Sequence, residues 1–511
     1  MILHNFVFIL LFKVFLLLLS TICIESEIQN VAFECTGRAM LISPSAAMGL
    51  HNQLDLLVHA IYVGLITNRN VCVRGFMSNF DSPALINIAW IYDLARINSA
   101  IRNSGIVQRV RPDDHRINRN ISLSTFVAPI HPSDYQECVC LILRGEGASG
   151  KRDCPERGIR NIDMRRLEQN YTGIISFLQR EDVRNLEKVS FTPGVPFVRL
   201  GLENVEDDEL IHELHLLIRF SPAFYDTANV LMHKHQIISG QPYTAAHFRL
   251  EDDALSQYRT FNYWEYEERP DVKAQNLRFK WPQEMHDVFV AARFLQAVIN
   301  AVKPNEKLFI GTGLRKSNNR LNFLIDLVEK YYKHVLINDA KSIGENEVVP
   351  IKGRETTAIV DYIIASGATH FIGISLSTFS ANSMRMVKHA SGIKDIYYGK
   401  GETRLHERAI AKKHIEKQRS EAEAKLLASF AAKSFMFSVR DMGLPADIPT
   451  DLQELNRTLT VPGICSGIQL INMYRQANPH KQPFAAQFPG ENGLIPEHVP
   501  PPAPSNGTTL A

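Results

Sequence analysis

The sequence predicts an α/β protein made of two Rossmann-like lobes, followed by a helical extension and a tail. Three observations carry that expectation. A strand–turn–helix–strand pattern opens near residue 40, strand-like and helix-like segments alternate regularly from about residue 243, and 511 residues exceed what one hydrophobic core usually supports. In the first lobe, Met40 to Ile42 reads as a buried strand and Ser43-Pro44-Ser45 as a turn. A helix follows from about Leu50 to Ile66, with Leu54, Leu57, Val58, Ile61 and Leu65 on one face, and Val71 to Val73 is the next strand. Residues 75–240 are less regular, with polar loops around 110–120 and 144–162 and a helix-like stretch near 208–219.

In the second lobe, strands are expected at Tyr243–Phe248, Lys307–Gly311, His334–Ile337 and His370–Gly373. Helices are expected at Met285–Ala301, Asn318–Tyr332, Thr356–Ala365 and Thr378–Val387. Such alternation builds a parallel sheet covered on both faces, and ligands bind such sheets at the carboxyl ends of the strands. The division that follows is a targeting segment at 1–26, a first lobe at 30–240 and a second at 241–400. An extension at 401–477 and a proline-rich, disordered tail at 478–511 complete it. Within the extension, Glu402 to Phe435 is rich in Ala, Glu, Lys and Arg and reads as a long, solvated charged helix, without the apolar heptads of a coiled coil.

Charge is nearly balanced, with 56 Lys and Arg against 54 Asp and Glu, so no basic field points to nucleic acid. Phe6 to Ile24 is apolar except for Lys13, Ser20 and Thr21. It reads either as a signal peptide cleaved near Cys23 or Ser26, or as an uncleaved membrane anchor, since its length approaches the ~20 residues that span a bilayer. Both readings place the body in the secretory pathway, in the lumen of the endoplasmic reticulum or Golgi. Sequons at Asn120, Asn170, Asn456 and Asn506 suit that compartment. So do Cys35, Cys72, Cys138, Cys140, Cys154 and Cys465, an even set from which sequence alone does not choose the disulfide pairs.

Two strand ends carry the candidate chemistry. The stretch His247-Phe248-Arg249-Leu250-Glu251-Asp252-Asp253 brings an Arg out of a buried strand, and its planar fork of donors suits phosphate oxygens. An ion pair with Glu251 or Asp253 is the competing role. In Phe371-Ile372-Gly373-Ile374-Ser375-Leu376-Ser377-Thr378-Phe379-Ser380, Ser377 and Thr378 open a helix, where free N–H groups bind phosphate or the side chain simply caps the helix. Asp361 lies on the preceding helix as an acceptor for a purine or ribose, or as an ordinary helix acid, and Gly311-Thr312-Gly313 forms another strand-end turn. No metal is expected. Cys138-Val-Cys140 has no second pair, and His212-Glu213-Leu214-His215 lacks the HExxH spacing, so core or surface histidines explain the latter better. Neither a GxSxG elbow nor a Walker loop is present.

These motifs resemble the GDP-fucose protein O-fucosyltransferase superfamily, over about Gly37 to Lys400. Ala358 to Tyr362 followed by Phe371 to Ser380 is similar to the animal enzymes that fucosylate thrombospondin repeats. His247 to Asp253 is similar to the HxRxExD form of plant members, and Gly49-Leu50-His51-Asn52-Gln53 to the family's Gly-x-x-Asn-Gln turn. The resemblance implies a GT-B fold with a cleft between its lobes, and inverting, metal-independent transfer from GDP-β-L-fucose to a protein hydroxyl, with small disulfide-rich domains as acceptors. It implies that Arg249 holds the β-phosphate and that Ser377, Thr378 and Phe379 bind the diphosphate end. Asp361 and His247 would meet guanosine, and Gly49, His51 and Asn52 the sugar and acceptor. Where the thrombospondin-repeat enzymes carry a Glu as general base this chain has Met48, which leaves His51 and Asp55 as the nearest alternatives. Another nucleotide sugar, a polysaccharide acceptor, or a non-catalytic GDP-sugar-binding protein of the same fold are the rival readings.

Overall fold

A computed structural model describes residues 35, 37–42, 49–73, 75–77, 85–110, 126–129, 159–163, 171–192, 205–237, 240–259, 283–314, 321–338, 354–374, 377–392, 425, 429–430, 433–437, 461 and 464–478. The segment 6–24, the four sequon asparagines, Cys138, Cys140, Cys154 and the tail from residue 479 lie outside them. Among the described residues no helix is long and apolar enough to cross a membrane. Chain contacts divide into two compact units, one formed by 1–227 with 346–360 and the other by 228–345 with 361–511.

The first unit holds a five-stranded, all-parallel sheet in the order β5-β2-β1-β7-β6. Its strands are β1 (Ala39–Ile42), β2 (Asn70–Val73), β5 (Val127–Pro129), β6 (Ile159–Asp163) and β7 (Lys188–Thr192). A separate two-stranded antiparallel ribbon pairs β3 (Phe76–Met77) with β4 (Leu85–Ile86). Helix α1 (Leu50–Thr67) follows β1 and is buried on nearly all sides, because β1 and β2 lie on one flank and α3 (Tyr171–Gln179) and α4 (Val205–Leu217) on others. It ends at Asn68, which adopts the left-handed conformation (φ 57°) and returns its N–H to the Gly64 carbonyl. Two buried polar side chains satisfy backbone groups in this unit. Asn98, on α2 (Leu94–Asn103), pairs with both the N–H and the C=O of Val127 and so satisfies an edge strand. Arg69 is fully buried and donates to the carbonyls of Val183 and Leu186. Burial, with Arg38 nearby, lowers its pKa to about 10.

The second unit has the order β10-β9-β8-β11-β12, again all parallel. Its strands are β8 (Thr244–Phe248), β9 (Lys307–Thr312), β10 (His334–Ile337), β11 (His370–Ile374) and β12 (Phe435–Phe437). Among the described residues its helices are α6 (Gln283–Ala301), α7 (Phe323–Tyr331), α9 (Thr378–Ala390) and α10 (Gly467–Ala477), together with the later parts of α5 (Pro222–Lys234) and α8 (Arg354–Ser366), each of which begins in the first unit. Strand β8 is central and fully buried, as its Thr-Ala-Ala run allows. The four predicted strands and four predicted helices of this lobe all occur, with ends shifted by a few residues and α7 beginning later than expected.

Two expectations past residue 400 need correction. The charged helix does not reach Phe435, because Phe435-Met436-Phe437 is a strand added in parallel to β11. Its aromatic residues favour a pleated surface and pack on the core, Phe437 meeting Phe294 edge-on at 5.4 Å. Ser434, just before it, accepts the N–H of Phe371. The extension 401–477 is therefore not wholly helical. Helix α10, opened by a capping box of Ser466 and Gln469, buries Leu470, Ile471 and Tyr474 in the same core.

Cys35 and Cys72 form a disulfide that ties the segment before β1 to the interior of β2 across a sequence separation of 37, whereas Cys465 keeps a free thiol. Loop entropy makes that bond worth about 4 kcal/mol. Cys35→Ala should lower the urea-unfolding midpoint accordingly, and a reductant should lower the wild type to match; no shift in either would show that the loop adds nothing.

Candidate nucleotide site at the strand-order reversal

The second sheet reverses its direction of growth at β8. Strands β9 and β10 extend it to one side, and β11 returns to the other. At such a reversal the crossovers leave in opposite directions and open a crevice beyond the carboxyl ends of the strands. The polar residues singled out in this lobe lie at that position. His247 is the penultimate residue of β8, Arg249 directly follows the strand, and Ser377 opens the helix after β11.

Arg249 leaves the strand by a tight turn in which its N–H bonds the His247 carbonyl at 3.1 Å. Its guanidinium is paired with Asp253 at 3.0 Å and approaches Glu251 at 4.0 Å, so the competing ion pair is realised. A third of the side chain (32%) remains accessible, leaving room for an anionic oxygen. Burial works against its charge, but Glu251 and Asp253 more than offset it and hold the pKa above its ordinary value. Glu251 also accepts the N–H of Gly313 at 2.7 Å, which fixes the end of β9 against the Arg loop. Beneath that loop, Leu250, Ala254, Leu255 and Tyr258 are buried in the core, and Arg259 grips Asp287 of α6 through two 2.9 Å contacts. The Arg is mounted on a packed element rather than a loose loop.

Ser377 is the N-cap of α9, its hydroxyl accepting the Ser380 N–H at 3.4 Å. The cap is thus present, and the same oxygen lies 3.5 Å from His247 Nδ1. Phe379 is buried and lies 4.3 Å, centroid to centroid, from the His247 ring and edge-on to Tyr362 at 6.2 Å. Thr378 is half-buried. Asp361, on α8, accepts a 2.7 Å hydrogen bond from Asn338 at the end of β10. A Cβ built on Gly311 would touch both Phe379 and Asp361 at ordinary contact distance, so β9, α8 and α9 meet around one small residue. The expected Gly311-Thr312-Gly313 turn starts later than predicted, because Gly311 and Thr312 still belong to β9.

The first unit holds the other candidates on α1. Gly49 is its N-cap, with a backbone (φ −64°) open to any residue and no side-chain cap, and Asn52 is half-buried beside it. His51 and Asp55 are each 5% exposed. Asp55 lies 3.5 Å from His215 of α4, in the packed layer between the two helices. His215 is therefore a core histidine held by a carboxylate. Met48 lies outside the described residues.

Sequence reading assigned no role to Ser380, Gly373 or Asn338, whereas His215, read as a core or surface histidine rather than a metal ligand, is a core one. Ser380 had a signal, since it stands three residues after the cap, where a cap meets the helix. Gly373 and Asn338 had none, because their roles depend on strands and helices brought together by the fold.

Two all-parallel α/β units in one chain, the second with polar groups gathered at its strand-order reversal, define an α/β protein of the GT-B type. The family model described as GDP-fucose protein O-fucosyltransferase matches residues 115–389, more than half of the chain. The chain belongs to that fucosyltransferase family. Comparison with curated protein sequences returned no match. Among solved structures, POFUT1 in complex with GDP-fucose is similar at 10% identity and a TM-score of 0.39, over 69% of this chain and 95% of that one. The fucosyltransferase NodZ from Bradyrhizobium is similar at 12% identity and a TM-score of 0.34, over 68% and 93%.

Gly373 lets α9 close on the sheet. A Cβ there would stand 2.6 Å from the Phe371 ring and 2.8 Å from both Met436 Sδ and Ser380 Cβ. Gly373→Ala should cost about 1–3 kcal/mol of stability, as overpacking does, and should weaken GDP binding by moving the first turn of α9. Chemical denaturation and titration calorimetry would read the two effects, and unchanged values in both would show that the contact is loose.

Proposed function

We propose that this protein transfers fucose from GDP-β-L-fucose to a Ser or Thr hydroxyl of a protein acceptor, with inversion at the anomeric carbon and without a metal cofactor. The observation that carries the reading is Arg249, its side chain a third exposed, just after β8, the strand whose His247 lies 3.5 Å from the Ser377 hydroxyl that caps α9. Membership of the fucosyltransferase family supports it. In the proposed reaction the acceptor oxygen attacks C1 of fucose while the bond from C1 to the β-phosphate oxygen breaks. Negative charge then grows on the departing diphosphate. In this reading Arg249 meets that charge with its N–H donors, and the interaction strengthens as the bond breaks, which is the condition for accelerating the step. The helix-opening N–H groups near Ser377, Thr378 and Phe379 add a positive dipole end for the diphosphate, and Asp361 with His247 serves the guanosine.

The acceptor side belongs in this reading to Gly49, His51 and Asn52. Methionine at position 48 has no basic atom. Asp55 is engaged with His215 inside the helix layer. His51 and Asp55 are the two proton acceptors this reading offers, and a strongly stabilised leaving group lessens the demand on either. The proposed acceptors are small disulfide-rich domains in the lumen of the secretory pathway, with residues 6–24 as signal or anchor.

Arg249→Ala should lower turnover by roughly 10²–10³, as loss of one transition-state donor does, while the variant unfolds at nearly the wild-type temperature. Wild-type turnover in the variant would remove the clamp from the mechanism. GDP-fucose at ~100 times its Kd should stabilise the wild type by about 2.7 kcal/mol, with other nucleotide sugars giving less. Equal stabilisation by another sugar nucleotide would redirect the donor assignment, and GDP binding without fucose release to any acceptor would favour a non-catalytic binder.

A further inference from the structure

Ser380 is fully buried and belongs to none of the roles assigned above. Its hydroxyl accepts the N–H of Ile374 at 3.0 Å and lies 2.8 Å from His247 Nδ1. Among the described residues these are its two side-chain partners. The Ile374 N–H occupies a lone pair, so the buried hydroxyl proton has His247 Nδ1 as its acceptor. A ring nitrogen that accepts carries no proton, and in neutral imidazole the proton then sits on Nε2. Ser377 Oγ, 3.5 Å from the same Nδ1, is a second hydroxyl on that side of the ring. Phe379 lies against the ring at 4.3 Å, which limits its rotation. Gly373, by admitting α9 so close to β11, brings Ser380 within reach of a strand on its far side.

We infer that Ser380 is a positioning residue for the nucleotide. It holds His247 as the Nε2–H tautomer, so that this histidine, two residues before Arg249, offers a neutral N–H donor to an acceptor atom of the bound nucleoside diphosphate sugar. The Ile374–Ser380–His247 relay thereby connects the backbone at the end of β11 to the side chain at the end of β8. The inference rests on the nucleotide-site reading for its ligand but not for its tautomer.

Nitrogen-15 NMR of histidine-labelled protein tests the two parts separately, with His247 assigned by its loss in His247→Gln. In the unliganded wild type, His247 should show protonated Nε2 and hydrogen-bonded, unprotonated Nδ1. A protonated Nδ1 overturns the inference without recourse to any Ser380 variant. Ser380→Ala should give a mixture of tautomers and raise the KM for GDP-fucose about tenfold, with kcat changed much less, as expected for loss of one ordered hydrogen bond. A folded Ser380→Ala protein that keeps the Nε2–H form, or keeps its KM, also overturns it. If the wild type shows the Nε2–H form but calorimetry detects no binding of GDP or GDP-fucose, the nucleotide-site reading fails and takes the ligand half of the inference with it, while the relay stands.

Discussion

Parallel pairing of β8 with β11 is the constraint on which the second unit's site depends. Their register sets Ala245 opposite Phe371 and Ala246 opposite Ile372, so both strands end at the same level of the sheet. Because the chain reaches β11 only after visiting β9 and β10, no crossover covers the junction. One strand end delivers His247 and Arg249, and the other delivers the capped start of α9. Small residues make this possible: Ala245 and Ala246 thin the central strand, and Gly373 removes the Cβ that would hold α9 away. Backbone geometry and side-chain size thus come before charge in building the arrangement.

Electrostatics then refines what packing has placed. Arg249 keeps its charge in a largely buried setting because two carboxylates flank it, and one of them, Glu251, is itself anchored by the Gly313 N–H. A lone Arg in that position would bear an uncompensated desolvation cost. A fully neutralised one would have less to offer an anion. The salt bridge and the proposed phosphate contact are therefore compatible uses of one side chain with a fork of several donors. The same economy holds at Ser377, where helix cap and proposed ligand contact share an oxygen.

Much of the second lobe was legible because its strands are short apolar runs and its helices have clear periodicity, which is how β8, β9, β10 and β11 and the helices between them could be placed. The site was legible at residues whose type carries the chemistry: an Arg leaving a strand, a Ser-Thr pair opening a helix. What stayed hidden was relational. Ser380 looks like any helix serine until β8 is set beside β11, and His215, legible as a core or surface histidine, gains its partner only when Asp55 is set against it. Strand β12 was masked by the Ala, Glu and Lys run before it, which carried the helical reading through Phe435. In the first lobe, the sequence of residues 75–240 alternates little between apolar and polar runs, which gave periodicity little to work on.

The position of β12 bears on where this protein can be cut. The family match stops at residue 389, and a fragment trimmed to it would lack both β12 and α10. Strand β11 would then become a bare edge with its row of N–H and C=O groups unpaired, and Phe294, the α6 residue that Phe437 covers, would lose its cover. Such a fragment would be prone to edge-to-edge association between copies. The matched span also starts at residue 115, after β1 and β2, so it takes only part of the first sheet. The stretch that identifies the family and the stretch that folds are different lengths of chain.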